Sequence, residues 1–88
     1  MLNYDLKKRK GKSIYEDLYE NLRNDIEAGM LRPGEKLPSK RVMAEYYGIG
    51  VKTVVHAYEQ LVAEGYLEAK EKRGYYVAKI YGQIYSVT

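Results

Sequence analysis

Apolar side chains recur at helical spacing in three separate stretches of the chain. The first stretch starts at Ser13, where Ser13 and Glu16 form the pattern of a capping box, and stops at Gly29. Its apolar face comprises Ile14, Tyr15, Leu18, Tyr19, Leu22 and Ile26. The opposite face is acidic, so we expect this first helix to face away from any nucleic acid.

Two shorter helical patterns follow a connector that contains Arg32-Pro33-Gly34-Glu35, a turn, and Lys36-Leu37, which is predicted to be extended. The second helix starts at the N-cap Ser39 and ends at Gly48, with Val42, Met43 and Tyr46 as its apolar face.

The third helix is predicted from Val51 to Glu64, with Gly65 as its stop. Its apolar stripe consists of Val51, Val54, Val55, Tyr58, Leu61 and Val62. The opposite side carries Lys52, Thr53, His56 and Gln60. One face of this helix is therefore suited to a core, and the other is small, polar and partly basic.

After Gly65 the pattern changes to alternation, which predicts two strands, 66–70 and 75–78. Residues 71–74 form the turn between them, with Gly74 supplying the positive φ. Helix, extended segment, helix, tight turn, helix and hairpin is the order of a winged helix-turn-helix, in the α+β class. The polar side of the third helix then faces a DNA major groove.

The amino-acid composition limits the kinds of chemical site that this chain can form. The 88 residues include 15 Lys+Arg and 12 Asp+Glu, a net charge of +3, with no cysteine and a single histidine, His56. These counts exclude disulfides, cysteine nucleophiles and cysteine metal sites, and we expect no enzyme. With neither a long apolar stretch nor a secretion signal, we expect a cytoplasmic protein without a membrane partner.

The first twelve residues include Lys7-Lys8-Arg9-Lys10-Gly11-Lys12, so we predict a disordered basic arm over 1–12. It is either a solvated tail or an arm that lies on phosphates. All eleven aromatic residues are tyrosines, which fits half-buried rings with wet hydroxyl groups or, alternatively, rings that stack on RNA bases.

The run Leu31-Arg32-Pro33-Gly34-Glu35-Lys36-Leu37-Pro38-Ser39-Lys40-Arg41, preceded by Gly29, resembles the G-x-L-x-P-G-x-x-L-P-S-x-R signature of the GntR family of bacterial transcription regulators. Residues 57–68 and 74–77 look most like the MocR branch. The resemblance implies an operator-binding winged helix over 13–78, with 79–88 as the start of a linker. MocR-type proteins continue into an aminotransferase-like domain that binds pyridoxal phosphate, so we expect that cofactor only in a further domain.

We predict eight DNA-binding residues, from the basic outer surfaces and from the resemblance together: Ser39, Lys40, Arg41, Lys52, Thr53, His56, Arg73 and Gly74. Each has an ordinary structural alternative, such as a helix cap for Ser39 or an ion pair with Glu45 for Arg41. The chain departs from the family where Gly50-Val51 replaces the usual Ser-Arg, which transfers base reading to Lys52, Thr53 and His56.

The predicted partner is a double-stranded DNA operator. A winged helix that binds protein or RNA is the alternative, because this fold is reused for several functions. The apolar stripes are all assigned to the core of one copy, so we expect the isolated domain to be a monomer and the full-length protein to be a dimer.

Overall fold

Three helices are followed by an antiparallel hairpin, as the sequence predicts. The computed structural model describes residues 4–6 and 11–79. The elements are α1 (Ile14–Glu27), α2 (Lys40–Tyr47), α3 (Val51–Ala63), β1 (Leu67–Lys70) and β2 (Gly74–Val77). The architecture is a winged helix-turn-helix in which α3 packs against both α1 and α2 and leads into the hairpin.

The ends of α1 follow the local sequence signals. The Glu16 N–H donates to Ser13 Oγ at 3.1 Å, and the Ser13 N–H donates to Glu16 Oε1 at 3.0 Å, which completes the capping box. Leu18, Leu22 and Ile26 are buried in the core. The predicted N-terminus and inner face of α1 are therefore confirmed.

The turn between α2 and α3 depends on a left-handed residue, Gly48, whose φ and ψ are 66° and 36°. The Ile49 N–H closes this turn by donating to the Ala44 carbonyl at 3.0 Å. The helix α3 then starts after Gly50, which supplies no side-chain cap. This tight connection fixes the placement of α3 against α2.

The predicted inner faces of α2 and α3 are wrong at three positions. Val42, Tyr46 and Val51 are 45%, 53% and 36% exposed. Met43 of α2 and Val54, Tyr58 and Leu61 of α3 are buried as predicted, and Ala44 and Ala57 are buried although they were not assigned to the core. Tyr47 also packs against the core, so the buried strip of α2, which comprises Met43, Ala44 and Tyr47, lies one position further along than predicted.

The connector is extended before Pro38, as predicted, and it also pairs with the hairpin. The Leu37 N–H donates to the Tyr75 carbonyl at 2.8 Å, and the Val77 N–H donates to the Glu35 carbonyl at 2.8 Å. Strand β2 therefore lies between β1 and residues 35–37, with Lys36 opposite Tyr76. The buried side chains of Leu37, Leu67 and Val77 join this small sheet to the helical core.

The tip of the hairpin differs from the predicted turn. The turn spans 71–73 and is closed by the Arg73 N–H, which donates to the Lys70 carbonyl at 2.9 Å. Its left-handed residue is Lys72, at φ 64°, whereas Gly74 is the first residue of β2, at φ 116°. The prediction that Gly74 lies in the turn was therefore wrong, because the loop between the paired residues Lys70 and Gly74 is one residue shorter.

Part of the predicted basic arm packs on the domain. Tyr4 donates from its hydroxyl to Asp25 Oδ2 at 2.6 Å, and its ring stacks on Tyr47 with 6.1 Å between centroids. Leu6 is half-buried against the core, and Lys12 Nζ lies 2.6 Å from Glu20 Oε1. The prediction of disorder over 1–12 is therefore wrong at these residues. The rest of the arm at 1–3 and 7–10, and the predicted tail beyond Lys79, lie outside the described residues.

Candidate nucleic-acid interface

The N-terminus of α2 presents two cations to solvent. Ser39 Oγ accepts a hydrogen bond from the Val42 N–H at 3.2 Å, so the predicted cap is confirmed. Lys40 and Arg41 are the first two helical residues, and both are exposed. Within the part of the chain that the structure describes, no ion pair joins Arg41 to Glu45, and the guanidinium is available to an anion.

The charges at the three helix starts are arranged in two opposite ways. The first turn of α1 carries Glu16 and Asp17, which complement the positive end of the helix dipole. The first turns of α2 and α3 contain no acid and carry Lys40, Arg41 and Lys52 instead. Cations at a helix N-terminus cost stability, so these two helix starts are arranged to meet negative charge supplied from outside.

The three residues of α3 that are predicted to contact DNA bases differ in their exposure and contacts. The Lys52 side chain is exposed in the first turn, whereas the Thr53 side chain is half-buried. His56 is exposed but its ring stacks on Tyr15 of α1, with the ring centroids 4.1 Å apart and the planes at 13°. Of the three, Lys52 alone projects freely from the start of the helix.

A cleft joins the start of α2 to the hairpin. It has a volume of about 390 Å³, and Ser39 and Lys40 line one wall. The opposite wall comes from the hairpin and includes Lys70 and Lys72. Three lysines thus line this cleft together with one acid, Glu71, and with Ala69, Gly74 and Tyr75 of the strands.

Arg73 and Gly74, the predicted wing residues, have different positions. Arg73 is exposed in the turn, where its side chain is free to extend beyond the hairpin. Gly74 is half-buried in β2, and a Cβ atom there would lie 3.5 Å from Lys36 Cε. The structure therefore brings Arg73 to the tip and places Gly74 behind it.

Sequence reasoning left Lys70 and Lys72 out of the predicted site, although both were visible as a basic hairpin tip. Lys70 also lies over the ring of Tyr76, with 4.6 Å from Nζ to the centroid, and Lys36 approaches the same ring at 5.9 Å. Attraction between the cation and the ring positions the Lys70 side chain along the hairpin. The missing information was the pairing of residues 35–37 with β2, which brings the hairpin next to α2.

Neither a metal-binding cluster nor a membrane-spanning helix occurs among the described residues. Among 4–6 and 11–79, no group of three or more acidic or histidine side chains is arranged to hold a metal ion. No helix in that part of the chain is long and apolar enough to span a bilayer.

Comparison with known proteins agrees with this geometry. Residues 14–77 match the family model described as "Bacterial regulatory proteins, gntR family". Over 64 residues the chain is 44% identical to the uncharacterized HTH-type transcriptional regulator YdcR of Escherichia coli, which covers 73% of this chain and 14% of that protein. It is 43% identical over 67 residues to the probable rhizopine catabolism regulatory protein MocR of Rhizobium meliloti, covering 76% of this chain and 14% of MocR. The chain thus spans a small part of the length of these relatives.

Solved structures give the same fold. The AraR DNA-binding domain in complex with operator ORR3 superposes with a TM-score of 0.68 at 26% identity, over 73% of this chain and 77% of that one. MocR is one of several regulators that the chain matches, and the repressor NagR of Bacillus subtilis is another. The match to the family model covers α1, α2, α3, β1 and β2, and the chain belongs to the GntR family of bacterial regulatory proteins.

Proposed function

We propose that this chain binds double-stranded DNA sequence-specifically, as the operator-binding module of a bacterial transcription regulator. The observation that carries the proposal is the cleft that Lys40 of α2 lines together with Lys70 and Lys72 of the hairpin, in which Glu71 is the one acid. A DNA backbone strand that enters this cleft meets cations from both sides. The start of α3, with Lys52, then lies against the adjacent major groove, as in other helix-turn-helix proteins.

The predicted residues, together with Lys70 and Lys72, divide into two main roles. Lys52 reaches base edges, for which guanine O6 and N7 are the natural acceptors. Lys40, Arg41, Lys70 and Lys72 bind phosphates and hold the protein in register, and Ser39 supports them by capping α2. Arg73 extends from the tip of the wing to the backbone or the minor groove. Thr53 and His56 stay secondary contacts, because one is half-buried and the other is stacked on Tyr15.

The assembly of the full-length regulator is part of the same proposal. Residues 13–78 form the binding module, 79–88 begin a linker, and the isolated module is a cytoplasmic monomer whose dimerisation is supplied elsewhere. Two modules on one operator then occupy half-sites about one helical turn apart. Sedimentation of the isolated module at micromolar concentration tests this, and a tight dimer contradicts it.

Pyridoxal phosphate does not fit the residues described here. That cofactor needs a lysine in a pocket that also holds its ring and phosphate. The lysines among residues 11–79 are exposed or half-exposed, on surfaces open to solvent. Control by this cofactor is therefore proposed only for a regulator that carries a further domain.

The test of DNA binding uses this chain with a mixed-sequence duplex and its separated single strands, at two salt concentrations. We expect duplex binding that weakens steeply as salt rises, because each bound phosphate releases counterions. Affinity that does not respond to salt, or equal affinity for single strands, contradicts the proposal and favours the protein-binding or RNA-binding alternative.

Variants then locate the surface. Lys52→Ala is expected to cost about 1–3 kcal/mol of binding free energy on a preferred duplex and to relax the preference at one base. Arg73→Ala weakens preferred and scrambled duplexes by similar factors if it contacts only phosphates. The matched control is Lys79→Ala, an exposed lysine outside the cleft and α3, which leaves sequence preference unchanged.

A further inference from the structure

Val51 is an exposed apolar side chain at the position where α3 starts. The helical pattern assigns it to the core, yet it is 36% exposed while Val54, four residues after the N-cap Gly50, is fully buried. Burying Val51 against the core would stabilise the domain, and its exposure leaves apolar surface in water. The side chain therefore lies on the outer surface of the first turn, next to Lys52.

The residues around Val51 at the start of α3 are a glycine, a lysine and a second valine. Gly50 precedes it without a side chain, and a Cβ atom there would meet only Thr53 Oγ1, at 3.7 Å. Val55 lies one turn further along the same strip and is half-buried. The start of α3 thus presents one hydrocarbon group and one cation at adjacent, exposed positions.

The major groove offers an apolar group only one specific partner. Base edges there carry hydrogen-bond donors and acceptors, except for the 5-methyl group of thymine. An arginine at this position would bind guanine edges, whereas a valine has no donor or acceptor. Contact with a thymine methyl group removes apolar surface of both partners from water.

We propose that Val51 reads a thymine methyl group at one base pair of the operator, beside the base pair that Lys52 contacts. This inference rests on the proposed function, because it requires α3 to lie in the major groove. It makes the departure from the family's usual Ser-Arg a change of base preference, from guanine towards thymine, at that position.

The experiment starts with a duplex enriched from a random-sequence library by the wild-type chain. Each thymine of that duplex is replaced in turn by deoxyuridine, which deletes the methyl group and keeps every hydrogen-bonding atom. At one base pair, the wild-type chain is expected to lose about three- to fivefold in affinity, the effect of one apolar carbon withdrawn from contact. Val51→Ala binds the thymine and deoxyuridine duplexes equally at that base pair.

The matched control is Val62→Ala, which shortens a valine on the same helix about 16 Å further along its axis. It keeps the wild-type ratio between the two duplexes, and thermal melts show that each variant is folded. Failure to enrich any duplex overturns the proposed function. Three other results overturn only the role of Val51. The enriched duplex contains no thymine in the site, every deoxyuridine substitution in it is neutral, or Val51→Ala still discriminates between the thymine and deoxyuridine duplexes.

Discussion

Tyrosine hydroxyl groups tie the elements of this domain together at the level of single residues. Tyr66 donates to Glu27 Oε2 at 2.7 Å, Tyr4 donates to Asp25 at 2.6 Å, and Tyr19 donates to Glu64. Tyr58 is fully buried, and its hydroxyl donates to the Pro38 carbonyl at 2.8 Å. These contacts fit the expectation of half-buried rings, because each phenol packs its ring and still reaches an acceptor.

Lys72 is the one residue other than glycine with a positive φ in the part of the chain that the structure describes. A left-handed residue with a side chain is strained by about 1–2 kcal/mol, while glycine loses more backbone entropy on folding. We therefore expect Lys72→Gly to raise the free energy of unfolding by about 0.5–1 kcal/mol and the melting temperature by a few degrees. The same variant removes a cation from the cleft and weakens duplex binding.

Arg73→Gly is the control for this prediction. Arg73 has an ordinary negative φ, so glycine there adds entropy only to the unfolded chain and lowers stability. The melting temperatures of the two variants, measured in one buffer, show whether the left-handed conformation of Lys72 is strained. Equal changes in the two variants, or a lower melting temperature for Lys72→Gly than for the wild-type chain, contradict the assignment of strain to Lys72.

At the scale of the element, stability and binding conflict at the start of α3. The helix dipole disfavours Lys52 in the first turn, where no acid and no side-chain cap are present. Lys52→Glu is therefore expected to stabilise the domain by about 0.3–1 kcal/mol, measured by urea unfolding at low salt. It is also expected to abolish detectable binding to the enriched duplex.

Lys79→Glu makes the same change in net charge outside the three helices. It separates a local effect at α3 from the loss of overall attraction to DNA. If Lys52→Glu destabilises the domain, or if both variants weaken binding equally, the interpretation of the α3 start is wrong.

The elements themselves were largely predictable, because their ends depend on local signals. Ser13, Gly29, Ser39 and Gly48 mark the helix ends through capping and left-handed turns. The pairing of residues 35–37 with β2 was not predictable, because strand partners are chosen by contacts distant in sequence. The candidate site divides in the same way. Exposure of charged residues at helix starts follows from the sequence, whereas the orientation of His56 depends on Tyr15 of another helix.

The inner faces of the two short helices show why packing was harder to predict. Val42, Met43 and Ala44 are three adjacent apolar residues in the eight-residue α2, so periodicity cannot choose between the possible strips. The choice is made by close packing against α3. As a result, Val42 and Tyr46 were assigned to the wrong side.

At the scale of the whole molecule, buried tyrosines make stability sensitive to alkaline pH. Burial raises the pKa of Tyr58 above its ordinary value, and burial together with the hydrogen bond to Asp25 raises that of Tyr4. Burial also raises the pKa of Tyr47 and Tyr75. The unfolded chain releases these protons near pH 10, while the folded chain retains them. The free energy of unfolding is therefore fully present below about pH 10 and falls as pH rises further.

Urea unfolding at a series of pH values between 8 and 12 measures this dependence. Tyr58→Phe is expected to lower stability at pH 8, through the lost hydrogen bond, and to flatten the fall above about pH 10. Tyr46→Phe, at an exposed ring, leaves both the stability at pH 8 and the fall in stability above about pH 10 unchanged. A Tyr58→Phe profile parallel to that of the wild-type chain contradicts the role assigned to burial.

The central position of β2 has a consequence for how such modules diversify. Its bonds to residues 35–37 and to β1 run through backbone atoms, so the alignment of wing and α2 does not depend on which side chains the tip carries. The three residues of the turn at 71–73 can thus be substituted without changing the position of the hairpin relative to α2. During evolution the side chains that the wing presents to DNA can therefore change, while the distance from the hairpin tip to the start of α2 stays the same.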